Sequence, residues 1–242
     1  MNIMTKIYRW ILPYHCILCS HPSTRLQDLC DPCYRHLPQT SNACSRCAKV
    51  ISVSGMLCGS CLTKTPPFDI IHAAYLYEAP FSKFILELKF GKKLINARLL
   101  GELLAEKIVY EWYINKPLPQ ALIPIPLHPS RLKERGFNQA LEIARPIAHQ
   151  LQLPLLHSHC LRIKATLPQA TLTKEQRKIN IKNAFSIRRP IPYQHIAVID
   201  DVITTGDTIT AFCHLLKKAG IQQIDVWCSA RPAMDGNLIV KN

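Results

Sequence analysis

Apolar positions along the chain fall into short runs and longer stripes that predict alternating strands and helices over most of its length. Ile196-Ala197-Val198-Ile199 is a compact run rich in β-branched residues, the pattern of a strand buried on both faces. The acidic pair Asp200 and Asp201 follows it, then Val202 and Ile203, then a tight polar turn, Thr204-Thr205-Gly206-Asp207-Thr208. Helical spacing takes over from Ile209 to Ala219 and stops at Gly220, a left-handed cap. Further strands are predicted over Ile70 to Tyr77, Ala121 to Pro126 and Ile224 to Cys228. Between the first two, Phe84, Ile85, Leu88, Ile95, Leu99, Leu103 and Leu104 recur at helical spacing, divided into two helices by Gly91 and Lys92-Lys93. These helices read as scaffold, and their charges (Lys83, Glu87, Lys107) as a solvated face. After Pro126 comes a basic loop, LHPSRLKERGFNQ, with Arg131, Lys133 and Arg135 beside Gly136, leading into a helix from Asn138 to about Leu151.

The stretch from His195 to Thr210 carries the chemistry. A strand, polar turn and helix start in that order point free backbone N–H groups at an anion. Gly206 lets the backbone approach closely, and the threonine hydroxyls add donors. Two adjacent carboxylates would repel a bare phosphate, but they fit sugar hydroxyls, or a Mg²⁺ that the same ligand coordinates. A sugar phosphate meets both conditions. A lone Asp-Asp or a lone TTGDT reads more simply as helix caps; the full string, in its working order, favours the ligand. In an open α/β sheet, loops beyond the carboxyl ends of parallel strands converge on one crevice. Arg131, Lys133 and Arg135 are therefore expected near Thr204–Thr208, each group taking one end of a doubly phosphorylated ligand.

The front of the chain follows another rule. Four CxxC pairs (Cys16/Cys19, Cys30/Cys33, Cys44/Cys47, Cys58/Cys61) start at a fixed spacing. Two such knuckles supply four thiolates in a tetrahedron, so four supply two closed, structural zinc sites. Pairing neighbours is the simplest assignment, and spacing alone leaves an interleaved one open. Cys160, Cys213 and Cys228 stand alone in apolar surroundings and read as packing residues. Pro66-Pro67 marks the expected boundary between a cysteine-rich module, residues 1–66, and an α/β domain, residues 67–242.

The string around Asp200 resembles the ribose-phosphate signature of type I phosphoribosyltransferases. That resemblance implies that Asp200 and Asp201 face ribose hydroxyls while Thr204 to Thr208 wrap the 5′-phosphate of phosphoribosyl pyrophosphate. Val202 and Ile203 belong to the same stretch, and Mg²⁺ accompanies the ligand. Thr204 stands where purine-salvage members carry an Asp, so purine salvage is not implied. LIPIPLHPSRLKERGFNQA and the later LRIKATLPQATLTKEQRKINIKNAF, with Arg162, Gln169, Leu172, Arg177, Asn180, Ala184 and Phe185, resemble the ComF (competence protein F) family. Asn183 departs from that family's more frequent Gly, and Asn tolerates the left-handed conformation. The similarity covers nearly the whole chain, and four CxxC pairs mark a double-ribbon member. It implies a type I phosphoribosyltransferase-like open, mostly parallel sheet flanked by helices, preceded by a small zinc-ribbon module. It also implies a cytoplasmic role in natural transformation, assisting imported single-stranded DNA alongside DNA-uptake proteins. The alternative is a phosphoribosyltransferase with a small acceptor, pyrophosphate leaving onto Mg²⁺, Arg131, Lys133 and Arg135.

Charge fits a polyanionic partner. The formal net charge is +14, and two four-thiolate zinc sites, each contributing −2, would leave the protein still basic. Between residues 121 and 190 basic side chains far outnumber Glu134, Glu142 and Glu175. Lys164, Arg177, Lys178, Lys182, Arg188 and Arg189 are the candidates for a nucleic-acid backbone. Aromatic residues are only 7% of the chain, too few for a base-stacking platform, so steep salt dependence is expected. No apolar run reaches membrane-spanning length. Ile3, Ile7, Trp10 and Ile11 share a helical face expected to pack on the protein, and with no secretory signal a cytoplasmic location is expected.

Overall fold

The computed structural model describes residues 14–40, 42–53, 55–165 and 183–233, so the face formed by Ile3, Ile7, Trp10 and Ile11 lies outside the described residues. The central sheet has four parallel strands: β1 (Ile70–Leu76), β2 (Ala121–Pro124), β5 (His195–Val202) and β6 (Gln223–Arg231), in the order β1-β6-β5-β2. Strand β5 is central, and Ile196, Ala197, Val198 and Ile199 are all buried, as a run without polar alternation requires. It extends through the acidic pair, so Asp200 and Asp201 are strand residues at its carboxyl end.

Successive side chains on these strands point to opposite faces, and each face has its own core. On one side Ala197, Ile199, Trp227 and Ala230 pack with α3 (Phe81–Lys89), α4 (Leu94–Lys107) and α6 (Gln139–Leu151). On the other, Ile196, Val198, Ile224, Val226 and Cys228 meet Ile209, Phe212, Cys213 and Leu216 of α7 (Asp207–Lys218). Cys160, Cys213 and Cys228 are buried there, as packing residues. Gly101 of α4 lies so close to α6 that a Cβ would stand 2.4 Å from the Ile143 carbonyl oxygen. Helix α4 runs on into a π-helical turn, Ile108–Trp112. Tyr113 just beyond donates to Asp225 (2.5 Å), which His195 also bonds (2.8 Å), pinning that turn to the amino end of the sheet.

The cysteine-rich segment, with two single-turn helices α1 (Asp31–Arg35) and α2 (Gly59–Thr63), wraps the β1 edge. Gln39 bridges Tyr75, Leu76 N–H donates to the Pro38 carbonyl and Ile71 N–H to that of Arg46. An edge strand that would otherwise offer unpaired backbone groups is thereby covered. The chain thus passes from one face of the sheet to the other: Cys16, Leu29 and Cys30 join the α3/α4/α6 core, while Cys44, Cys47, Cys58 and Cys61 join the α7 core.

Two expectations need correcting. The basic stretch after β2 is not a loop: Pro129–Arg135 forms the short helix α5, capped by the His128 side chain and closed by Gly136 at φ 84°. Proline at the first turn and glycine past the last are helix boundaries as much as loop marks. The scaffold helices also carry buried charge: Lys107, expected on a solvated face, is buried and bonds Gln39 and Glu111. Glu102 of α4 has a side chain only 22% exposed, 3.7 Å from Arg98, and its Oε2 has no hydrogen-bond partner among the described residues. Burial pushes its carboxyl up to about 7, Asp28 and Glu106 adding to the rise against Arg98. An acid with a raised folded-state pKa favours folding while protonated and loses that contribution as pH climbs from about 4.5 through about 7. Glu102→Gln is therefore expected to match the parent near pH 4.5 and exceed it by roughly 1–3 kcal/mol at pH 8. Paired urea unfolding curves at the two pH values check this.

Candidate functional site

The carboxyl ends of β1, β2 and β5 open on a cavity of about 780 Å³. Asp200, Asp201, Thr204, Gly206 and Thr208 line it from β5 and the turn into α7. Gly206 caps that helix with φ 83°, a conformation glycine adopts without strain. Thr205 donates through Oγ1 to Asp207 (2.7 Å), so Asp207 braces the turn from within. Val202 packs toward the α3/α4/α6 core, and Ile203 is buried against the other.

From the β2 side come Arg131 and Arg135 of α5. Arg131 pairs with Glu134 (2.9 Å), whereas Arg135 donates to the neutral amide of Gln139 (3.0 Å) and has no ion pair among the described residues. Lys133, on the opposite side of the same turn, is exposed and does not line the cavity. The convergence of the two loops is thus observed, with two of the three basic residues facing in.

The acidic pair is not symmetrical. Asp200 Oδ1 accepts the Asp201 N–H (2.9 Å), and Oδ2 has no partner among the described residues. Desolvation pushes the Asp200 carboxyl well above the usual carboxylate range, with the Asp201 charge adding to the rise and Lys89 and Arg162 opposing it. Asp201 is 7% exposed and ion-pairs with Lys89 of α3 at 2.7 Å. Lys89 is a cavity residue that sequence reasoning missed; its helix was read as scaffold. Arg162, from the hairpin of β3 (Cys160–Arg162) and β4 (Phe185–Ile187), lines the cavity as well. The apolar wall is made by Tyr77, Leu86 and Phe90, the last 67% exposed at the rim.

Both cysteine tetrads are assembled, and by neighbouring knuckles: Cys16, Cys19, Cys30 and Cys33 form one, Cys44, Cys47, Cys58 and Cys61 the other, with all Sγ atoms of a set within 4.8 Å of one another. Tetrahedral Zn–S bonds place sulfurs about 3.8 Å apart, and Cys19–Cys30 and Cys47–Cys58 stand at 3.6 Å. A disulfide would need about 2 Å. Burial raises the Cys16 and Cys44 thiols, but backbone N–H groups, those of Cys30 and Cys58 foremost, draw each down to about 6. The donor set fits zinc: four thiols per site, none left for a substrate. Arg231, which carried no signal in the sequence, is buried at the end of β6 and donates to the Cys47 carbonyl (2.6 Å).

A double zinc ribbon domain model matches residues 7–62. Over 91% of this chain and 98% of its own length, the DNA utilization protein YhgH of Salmonella typhi is 33% identical. Competence protein F of Haemophilus influenzae is 34% identical over 84% of this chain and 90% of its own length. The chain belongs to the competence protein F family. Competence protein ComFC of Streptococcus pneumoniae is more distant, 24% identical over 66% of this chain. Within the ComF-type fold seen here, the basic candidates separate. Lys164 is exposed beside Ala165 at the cavity, whereas Arg188 and Arg189 are exposed at the opposite end of the β3–β4 hairpin, where their N–H groups meet the His159 carbonyl. Arg177, Lys178 and Lys182, with Gln169, Leu172 and Asn180, lie outside the described residues. No helix among the described residues is long and apolar enough to cross a membrane.

Proposed function

We propose that this chain serves natural transformation by handling imported single-stranded DNA in the cytoplasm, in contact with DNA-uptake proteins, and binds phosphoribosyl pyrophosphate with Mg²⁺ in its cavity. Family membership supports the competence role, since the relatives bear the names competence protein F and DNA utilization protein. The sugar-phosphate reading rests on one observation: Asp200, the Thr204–Thr208 turn and Arg135 share a single cavity at the carboxyl ends of the strands. In this reading the turn's N–H groups and hydroxyls bind the 5′-phosphate, Asp200 the ribose hydroxyls, and Arg131 and Arg135 the pyrophosphate, while Lys133, facing away from the cavity, takes no direct part. Magnesium would neutralise pyrophosphate oxygens on the Asp200 side. Residues 1–66 form the zinc-ribbon unit and 67–242 the phosphoribosyltransferase-like unit, the two sharing their cores along β1.

Single-stranded DNA would contact Lys164, Arg188 and Arg189, with Arg177, Lys178 and Lys182, which lie outside the described residues, as the further candidates. Fluorescence anisotropy across a salt series tests this. Binding should weaken steeply with salt, and Arg188→Ala with Arg189→Ala should flatten the log–log slope by about 1.4, at about 0.7 per lost contact. An absence of binding at low salt removes the DNA role.

A second reading, phosphoribosyl transfer to a small acceptor, is favoured by the apolar wall of Leu86 and Phe90 beside the charged end of the cavity. Displacement at the anomeric carbon would leave pyrophosphate against Arg131 and Arg135. Pyrophosphate release screened against nucleobases and amines tests it; release only in the presence of an acceptor supports transfer.

A further inference from the structure

We propose that Lys89 is a ligand-contacting residue of the cavity and that Asp201 acts as its positioning residue; this rests on the sugar-phosphate reading above. Asp200 and Asp201 are consecutive on a strand and leave it on opposite faces. Asp201 Oδ2 meets Lys89 of α3 directly, whereas Asp200 has the charges of both Lys89 and Arg162 near it, Lys89 acting the more strongly. Both oxygens of Asp201 are engaged: Oδ1 accepts the Val202 N–H at 2.7 Å, and Oδ2 holds Lys89 Nζ at 2.7 Å. One acceptor position on each oxygen is thus given to the protein, which fixes the carboxylate beside Lys89.

Lys89 ends α3, and its side chain is 21% exposed on the cavity wall. An ammonium carries three donors, and one is directed at Asp201. The other two have no partner among the described residues and can meet an anion. Arg131 and Arg135 approach from the β2 side and Lys89 from the β1 side, so an anionic ligand would be held from two directions with Asp200 between. The competing account is that Lys89 only neutralises a buried Asp201 and touches no ligand.

Calorimetry of the full zinc-loaded chain with phosphoribosyl pyrophosphate and Mg²⁺ separates these accounts. Lys89→Met is expected to weaken binding roughly 10- to 100-fold, the loss of a charge-assisted contact. Because Lys89→Met alone strands the Asp201 charge, the deciding variant is Lys89→Met with Asp201→Asn, which restores the balance. If Lys89 contacts the ligand, the double variant stays as weak as Lys89→Met. Recovery of parental affinity in the double variant, or binding by Lys89→Met within two-fold of the parent, overturns the assignment. Failure of the parent chain to bind instead overturns the sugar-phosphate reading, a separate result.

Discussion

Serine at Cys44 and Cys58 is expected to unfold the chain and abolish ligand binding with it, whereas serine at Cys19 and Cys33 should leave a folded protein that still binds. All four sulfurs of the Cys44–Cys61 tetrad are buried within the core beneath α7, with Phe68, Ile71 and Ala73. Two cysteines cannot complete a tetrahedral site, and structural zinc contributes on the order of 10–16 kcal/mol, comparable with the whole stability of a domain at about 5–15 kcal/mol. The damage would travel to the cavity by bonded contacts. Arg231 holds the Cys47 carbonyl at the end of β6, and the Ala230 carbonyl of that strand accepts the N–H of Ile203, where the polar turn begins. The Cys16–Cys33 tetrad differs in having Cys19 exposed and Cys33 half-buried, and its loop is held to α4 independently by Arg25–Glu106 (2.7 Å) and Arg98–Asp28. Thermal melts with zinc analysis check both halves: two zinc per parent chain, and under chelator the Cys16–Cys33 ion leaving first. Equal sensitivity of the two tetrads would contradict the argument.

Much of this layout is legible in sequence because it is local. The run Ile196–Ile199, the break at Gly91 to Lys93, the helix start at Asn138 and the CxxC knuckles each depend on residues a few positions apart, whereas the pairing of neighbouring knuckles is settled only by the fold. What escapes periodicity is the partner of a charge. Lys89 and Lys107 look alike as basic residues closing scaffold helices, yet Lys89 meets Asp201 across the cavity and Lys107 bonds Gln39 and Glu111 in a half-buried pocket. Arg231 is equally silent, because its role depends on the cysteine-rich segment folding back over the β1 edge. The alternation that makes Asp200 and Asp201 unequal lies beyond the run Ile196–Ile199, in the continuation of β5 through the acidic pair, and the position of α3 turns it into a difference of chemistry.

Asp200→Ala with Asp201→Ala is expected to reduce binding of phosphoribosyl pyrophosphate more than about 100-fold, since it removes one direct acceptor and the anchor of Lys89. The same change should not cost stability. Two neighbouring carboxylates in a desolvated pocket oppose each other's ionisation, and the upward displacement of the Asp200 carboxyl registers that conflict. Deleting both relieves it, while Lys89, already partly exposed, can turn its ammonium to water. The variant should therefore melt at or above the parent temperature and keep both zinc ions while losing the ligand, the trade expected where a strained charge pair is retained for function. Dividing the pair sharpens the prediction. Asp200→Asn should lose binding as a direct contact does, whether or not Lys89 is present, whereas the effect of Asp201→Asn should depend on Lys89. Calorimetry on the two single variants in each Lys89 background reads this out, and equal, additive losses would mean that both carboxylates touch the sugar.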